Sequence, residues 1–432
     1  MYKVIIRLAM YTKTILCIFL YLSFSSAFAQ FKVDADIRPR FEYRHGFGNL
    51  FPDNADPATF VVQRTRLNIN YKIEKLTVMM SFQDVSTWGD TRQIDPTDSN
   101  NSFSIFQGWI HYEFDENWST KLGRQVISYD NQRIFGGLDW AMQGRFHDAA
   151  LIQYKKGNLI ADLGFALSQE NQRQIGTGFS LSGAFTYKAM QYAYLKKNWD
   201  KLSTSFLVLN TGFQKFTGED NDIPDGVFYR QTAGSYFTFP IDALKLNGSA
   251  YYQFGKANAN TNLAAYQVAL EANYKPGKTL FGLGFELLSG TDQDGDSKNK
   301  SFFPLYGTNH KFNGFMDYFY VGNHANNVGL NDVYAKAIFK LGKTSSLLSK
   351  VHYFSANADL NNNVDAYLGT EIDLVYTKSL MKDVSLNIGY SHLFASEGMS
   401  SIKNGIRNSN TNNWAWVQLK VTPTLFNSAT KQ

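Results

Sequence analysis

The sequence predicts an all-β fold: a transmembrane, antiparallel, up-and-down β-barrel of eighteen strands with long extracellular loops and short periplasmic turns. Three observations carry this reading. Apolar and polar residues alternate along the segments that would form strands, and short turns alternate with mostly longer polar loops. Beyond the leader, no stretch is apolar for the length of a spanning helix, so a membrane could be crossed only by a closed barrel.

The chain opens on three zones: a start carrying Lys3, Arg7 and Lys13, an apolar stretch from Thr14 to Phe24, and the small-residue end Ala27-Phe28-Ala29. That order is a secretory signal peptide with cleavage expected before Gln30, and its apolar part falls short of the roughly 18 residues of a membrane anchor. Residues 1–29 are read as the leader and 30–432 as one barrel domain in the outer membrane of a Gram-negative cell. The single cysteine, Cys17, leaves with the leader, and Ile15-Leu16 before it lacks the small residue of a lipoprotein site. The mature chain is therefore expected to carry no thiol, disulfide or lipid anchor. The leader holds three of the 42 Lys and Arg and none of the 37 acids, so the mature balance is +2 (39 − 37), which argues against a general nucleic-acid binder. Aromatics at 16% with only nine prolines suit a wall that meets lipid outside and water inside.

From Phe31 one face reads Phe31, Val33, Ala35, Ile37, Pro39, Phe41, Tyr43 and the other Lys32, Asp34, Asp36, Arg38, Arg40, Glu42, Arg44. Period two over this length is a strand. A second strand follows from Val61 to Ile73, then a tight turn at Glu74-Lys75 and a third strand from Leu76. Further short turns are expected near Asp115 to Trp118, Lys155 to Asn158, Lys196 to Lys201, Pro240 to Ala243, Lys275 to Lys278, Gly342 to Ser346 and Ser379 to Asp383. Loops are expected near 45–59, 85–103, 129–147, 169–183, 212–230, 255–263, 291–330, 358–364 and 396–412. Eight turns and nine loops separate eighteen strands, and sixteen remain if one shorter loop is misread. The last strand, from Trp414, alternates through Ala415, Val417, Leu419 and Val421 and would close against the strand at Phe31, leaving no edge in lipid. Trp118 and Trp199, in or beside short turns, suit an aromatic girdle at the periplasmic headgroups.

The arginines are uneven, nearly all of them before residue 231. If the first two strands pair across a loop centred near Asp53, Arg38 faces Arg66 and Arg40 faces Arg64 on the lumen side. Guanidinium forks match carboxylates, so such a wall, with Arg44 beside it, favours polyanions. The competing reading is a self-neutralising ladder, because Asp34, Asp36 and Glu42 share that face and Asp84 lies near. The loop 129–147 carries Arg133, Asp139, Trp140, Arg145, His147 and Asp148 around Gly136-Gly137. It either folds inward as a constriction, where aromatic faces would stack on sugar rings, or caps the barrel outside. Phe302 to Tyr320 is too aromatic to hang in water and is expected to pack across the barrel mouth.

Signals for chemistry are weak. His147-Asp148 with a serine would make a hydrolase triad, but no nucleophile motif anchors it. Asp292, Asp294 and Asp296 around Gly295 lack the glycine position and the closing glutamate of a calcium loop, so a solvated acidic turn is expected. The seven histidines have no metal-ligand spacing and no phosphate cradle appears, so no catalytic residue, metal or cofactor is expected. A structural or adhesive barrel plugged by its loops is the third reading.

Several segments together resemble the alginate-export family of outer-membrane barrels. They are Arg38-Pro39-Arg40-Phe41-Glu42-Tyr43-Arg44, Gln63-Arg64-Thr65-Arg66-Leu67, Gln83-Asp84-Val85 with Trp88-Gly89, Gly123-Arg124-Gln125, Tyr129-Asp130 with Gln132-Arg133 and Gly136-Gly137, Trp140, Arg145, Tyr306-Gly307-Thr308-Asn309-His310, and Met316-Asp317-Tyr318. The resemblance implies an eighteen-stranded monomer whose arginine-lined pore passes a polyuronate. Its partners would be outer-membrane lipid, an anionic saccharide solute and periplasmic export or uptake proteins. The residues expected to line such a pore are Arg38, Arg40, Arg44, Arg64, Arg66, Arg124, Arg133, Trp140 and Arg145.

Overall fold

Alternation gives every strand two chemically different faces, and closing the sheet sorts them into lipid and lumen. The computed structural model describes residues 29–93, 102–180, 186–220, 222–294, 298–320, 324, 328–407 and 409–430; the leader expected over 1–29 lies, except for Ala29, outside them. Its strands are β1 (Gln30–His45), β2 (Ala58–Ile73), β3 (Leu76–Thr87), β4 (Ser104–Glu113), β5 (Trp118–Gln125), β6 (His147–Lys156), β7 (Leu159–Leu167), β8 (Ala189–Asn198) and β9 (Ser203–Thr217). The second half continues with β10 (Ile223–Ile241), β11 (Leu244–Lys256), β12 (Asn262–Tyr274), β13 (Leu280–Leu288), β14 (Leu330–Lys340), β15 (Ser345–Ser355), β16 (Tyr367–Met381), β17 (Val384–Ala395), β18 (Asn412–Val421) and β19 (Thr424–Asn427).

Each strand pairs antiparallel with the next, and the ring closes because β18 and β19 both lie along β1. These two are one strand interrupted at Pro423, which has no N–H for the ladder. The carbonyl of Pro423 still accepts from Ala35 N at 3.0 Å, so the seam continues from Ile37↔Val421 to Asp34↔Thr424. The wall is thus the expected eighteen-stranded barrel.

The short turns stand where the sequence puts them. Glu74, Asp242 and Asp383 take positive φ (46°, 50° and 61°), as two-residue hairpins require. One expected loop is wrong: most of 212–230 is strand, because β9 runs to Thr217 and β10 begins at Ile223, leaving a connection of only 218–222. Phe213 stacks on Phe228 at 5.4 Å across that hairpin, extending the ladder past a stretch whose glycines and acids read as loop.

Leu67, Met80, Ile110, Leu163 and Phe206 turn outward, where the bilayer covers them. The hydrophobic core lies inside the ring instead. The loops 126–146 and, among the described residues of the second, 298–320 fold down into the lumen, leaving Phe135, Leu305, Tyr306, Met316, Tyr318 and Trp414 at most 1% exposed. Phe302 to Tyr320 therefore packs within the barrel. The two loops run side by side through a parallel bridge, Phe135↔Tyr306, with Gly136 N donating to the Tyr306 carbonyl at 2.9 Å and Thr308 N to the Gln132 carbonyl at 2.9 Å. A Cβ at Gly136 would overlap the Thr308 side chain, and one at Gly307 the Arg133 carbonyl, so these glycines are demanded by close approach between loops. A short helix, α1 (Glu397–Ile402), is capped by Ser396, which accepts from Met399 N at 3.2 Å; just beyond it the Lys403 ammonium donates to the Tyr318 carbonyl at 2.5 Å.

Candidate functional site

The lumen face of β1 and β2 carries Arg38, Arg40, Arg44, Arg64 and Arg66. Their register differs from expectation: Arg38 lies opposite Arg64, Arg66 opposite Asp36, and Arg40 opposite Val62. The hairpin pivots about two residues earlier than Asp53, because β1 ends at His45 and Leu50 tucks inward at 1% exposure, drawing the loop over the rim. Asp36 accepts both ends of the Arg38 fork at 2.8 Å and the Arg64 guanidinium at 2.6 Å. Glu42 holds Arg40 at 2.8 Å and Arg44 at 2.9 Å, and accepts the Trp414 indole N–H at 3.1 Å. Arg66 donates to Gln83 at 2.6 Å and lies 3.6 Å above the Phe106 ring.

The loop 126–146 covers this wall with acceptors. Asp139 bridges Arg38 at 2.9 Å and Arg64 at 3.1 Å, and the Trp140 carbonyl accepts from Arg40 at 3.0 Å. Burial works against ionisation of Asp139, but Arg38 and Arg64 outweigh it and hold the carboxyl below its usual range. The Trp140 ring lies 4.0 Å from the Arg40 guanidinium, stacks on His310 at 4.3 Å and meets Trp416 edge-on at 4.8 Å. Five guanidiniums here face three carboxylates, Asp36, Glu42 and Asp139, so the wall is partly neutralised and keeps a net positive charge. Asp34 shares this face but pairs with Lys32 at 2.8 Å instead of an arginine, and Asp84, expected nearby, turns outward to Ser86 and Ser102.

Exposure separates the arginines. Arg38, Arg40, Arg64 and Arg66 are each at most 8% exposed, whereas the Arg44 side chain is 35% exposed and that of Asp139 60%. Arg40 and Arg44 line an outer cavity of about 310 Å³ with Phe47, Phe60, Trp140 and Tyr320. Arg145 reaches the second loop, donating to the Gly307 carbonyl at 2.7 Å.

Two expected pore residues belong elsewhere. Arg124 is on the outer face: on β5 it shares parity with the lipid-facing Leu122, and it forks onto Asp148 at 2.9 and 3.0 Å. Parity along Leu122-Gly123-Arg124 could have shown this. Arg133 is 2% exposed inside the plug, paired with Glu286 at 2.8 Å and donating to Asn313 at 2.9 Å, so it is a tether between loop and wall. The imagined triad also dissolves: His147 turns inward to the Tyr187 hydroxyl at 3.2 Å while Asp148 turns outward to Arg124, on opposite faces of β6.

Sequence reasoning missed the far wall. Glu271, Glu286, Asp332, Glu371 and Asp373 point inward from β12, β13, β14 and β16. Asn313 donates to Glu286 at 2.8 Å and Asp332 at 3.1 Å, Met316 N donates to Glu371 at 2.9 Å, and His352 sits 2.7 Å from Asp332. A signal existed: Glu286 is the lone charge in the run Leu280–Leu288, and Glu371 and Asp373 are two apart, on one face. On the expected acidic turn, Asp292 accepts from Asp359 N at 3.1 Å and stands 3.8 Å from Lys300, while Asp296 lies outside the described residues. Among the described residues no cluster of His, Cys, Asp or Glu could hold a metal.

The model of one protein family, described as Alginate export, matches residues 29–413. No curated protein matches the chain in sequence. Among solved structures it is similar to the outer membrane protein opdK from Pseudomonas aeruginosa (TM-score 0.62, 10% identity, covering 92% of this chain and 98% of that one). OccK9 (OpdG) of the same organism gives a TM-score of 0.63 at 12% identity, covering 91% and 98%. OccAB1 of Acinetobacter baumannii gives 0.59 at 16% identity, covering 92% and 97%.

Proposed function

The chain belongs to the alginate-export family and is a porin-like channel barrel of the outer membrane, and on that premise we propose that its lumen passes anionic saccharides by passive diffusion. The observation that carries the solute class is the arginine wall, whose charge exceeds that of the carboxylates facing it. In a narrow, low-dielectric channel that surplus concentrates anions, and its reach shrinks with salt. Arg44, the most exposed of the five, meets an entering carboxylate first. Trp140 and Phe47 line the same cavity with their faces already taken, Trp140 by Arg40 and His310 and Phe47 by Arg44, so the rings shape the mouth and hold the guanidiniums toward the solute. Arg38, Arg64 and Arg66 lie under Asp139 and loop carbonyls and act through their field.

Reversal potentials across planar bilayers in a salt gradient test this reading. Wild type is expected to prefer anions, most strongly at low ionic strength, and Arg44→Gln to lower the anion-to-cation permeability ratio. A cation preference in wild type sinks it. The packed lumen favours a second reading, a barrel plugged by its own loops. That reading wins if no conductance is recorded even after residues 130–146 are deleted.

A further inference from the structure

A second cavity, of about 430 Å³, lies beneath the two inward loops. Register places it on the periplasmic side. Tyr236 and Asn247 flank the Asp242-Ala243 turn, and Ile338 pairs with Leu348 beside the turn at 341–344. Lys311, Phe312 and Phe315 of the loop 289–329 form its roof. The nearest of its strands to the arginine wall is four away, and β10 is diametrically across the ring.

Three ammoniums enter this cavity with different partners. Lys336 is paired with Glu271 at 2.6 Å, and Lys311 donates to the Asn131 carbonyl at 3.1 Å. Lys350 is only 9% exposed, yet among the described residues its ammonium has no hydrogen-bond acceptor and no ion pair. It is flanked by rings instead, 4.5 Å from Tyr334 and 5.7 Å from Phe315. The nearby carboxylates are engaged elsewhere: Asp332 by His352 and Asn313, Asp373 by the Ser391 hydroxyl at 2.5 Å. Crowding is felt at the roof, where burial first, and then Lys336 and Lys350 against the pull of Glu271, lowers the Lys311 pKa. The Lys350 ammonium opens onto the cavity, where only solvent or a ligand can accept from it. A ligand carboxylate would supply what Lys350 lacks, and the volume falls within the range of small-molecule sites.

We propose that this inner cavity is a binding site for a carboxylated sugar ring, its carboxylate on the Lys350 ammonium and its ring between Phe315 and Tyr334. Asn247 and Glu271, which also line the cavity, are placed to receive ring hydroxyls. The inference rests on saccharides entering the lumen, and makes the path two stations: an arginine-lined outer cavity and a lysine-centred inner one.

The test is calorimetric titration of the full-length barrel in detergent with glucuronate and, separately, glucose. Glucuronate is expected to bind saturably and glucose at least about tenfold more weakly; Lys350→Met should weaken glucuronate about tenfold while Arg124→Gln, on the outer face and outside both stations, changes it less than about twofold. If Lys350→Met does not yield a folded, heat-modifiable barrel, Phe315→Ala removes a ring contact without touching an ion pair and should weaken glucuronate about fivefold. The site is overturned if wild type shows no saturable glucuronate binding, if glucose binds equally, or if the folded variants bind like wild type. Reversal potentials on the same preparation keep the failures apart. Lost anion preference with intact Lys350-dependent binding defeats the arginine-wall reading alone, and the converse defeats the inner site alone.

Discussion

The two sides of the lumen hold the inward loops with opposite polarity. On β1 and β2 the wall supplies cations and the loop 126–146 supplies acceptors: the Asp139 carboxylate and the carbonyls of Asp139, Trp140 and Met142. On β13, β14 and β16 the wall supplies carboxylates and the loops supply donors: the Arg133 guanidinium, the Asn313 amide and the Met316 N–H. The loop 126–146 therefore spans the barrel with its negative group toward the basic wall and its positive group toward the acidic one. Geometry sharpens the contrast. The Arg133–Glu286 pair is sealed at 2% and 5% exposure, while Asp139 is mostly open. Solvent screening makes the sealed pair the firmer attachment.

Breaking the sealed side should have the largest effect. Glu286→Gln leaves Arg133 buried without a counter-charge, at a cost of about 3–5 kcal/mol to loop docking. Hydrogen exchange in both loops and single-channel conductance are expected to rise; wild-type protection would show that the plug is held elsewhere. The double substitution Arg64→Gln and Arg66→Gln should come next, lowering anion preference severalfold at low salt and less at high salt. An unchanged permeability ratio removes the arginine wall from selectivity. Asp139→Asn deletes one exposed partner, worth about 0.5–1 kcal/mol, so anion preference should rise by roughly two- to fivefold with the fold intact. A fall would reverse the assigned polarity. Acid is the gentlest probe. A carboxyl held low stabilises its contact fully above its unfolded pKa and loses that contribution only as pH falls through the folded one. The part of the conductance that depends on Asp139 should therefore stay level from neutral pH down to about 4, the ordinary carboxylate value, and change only below it. A step at higher pH that Asp139→Asn abolishes would mean Asp139 does not titrate as its arginines dictate.

The strands of this fold were legible because lipid and water impose a period of two that nothing else in the chain imitates. The turns were legible because tight connections recur at every second gap, while the connection 218–222 shows that the loop side can be short as well. Register was not: alternation fixes which face Arg38 and Arg64 share but is blind to a slide of two residues, and that slide decided whether Arg66 met Arg38 or Asp36. The inward loops were half legible. The aromatics of Phe302 to Tyr320 required burial, while the depth of that burial depended on wall carboxylates from strands far along the chain. Arg124 and Arg133 were misassigned by residue type alone. Parity would have put Arg124 outside, but nothing local reveals that Arg133 meets Glu286 across the lumen.

Asp139 carries a consequence for traffic. It occupies the place between Arg38 and Arg64 that a guest carboxylate would take, tethered by its own chain at high effective concentration. On the proposed anionic-solute reading, the resident keeps a guest from settling on these two arginines, so they draw it by their field without binding it tightly. Shallow wells suit a conduit: a solute held weakly at each step would leave as readily as it enters.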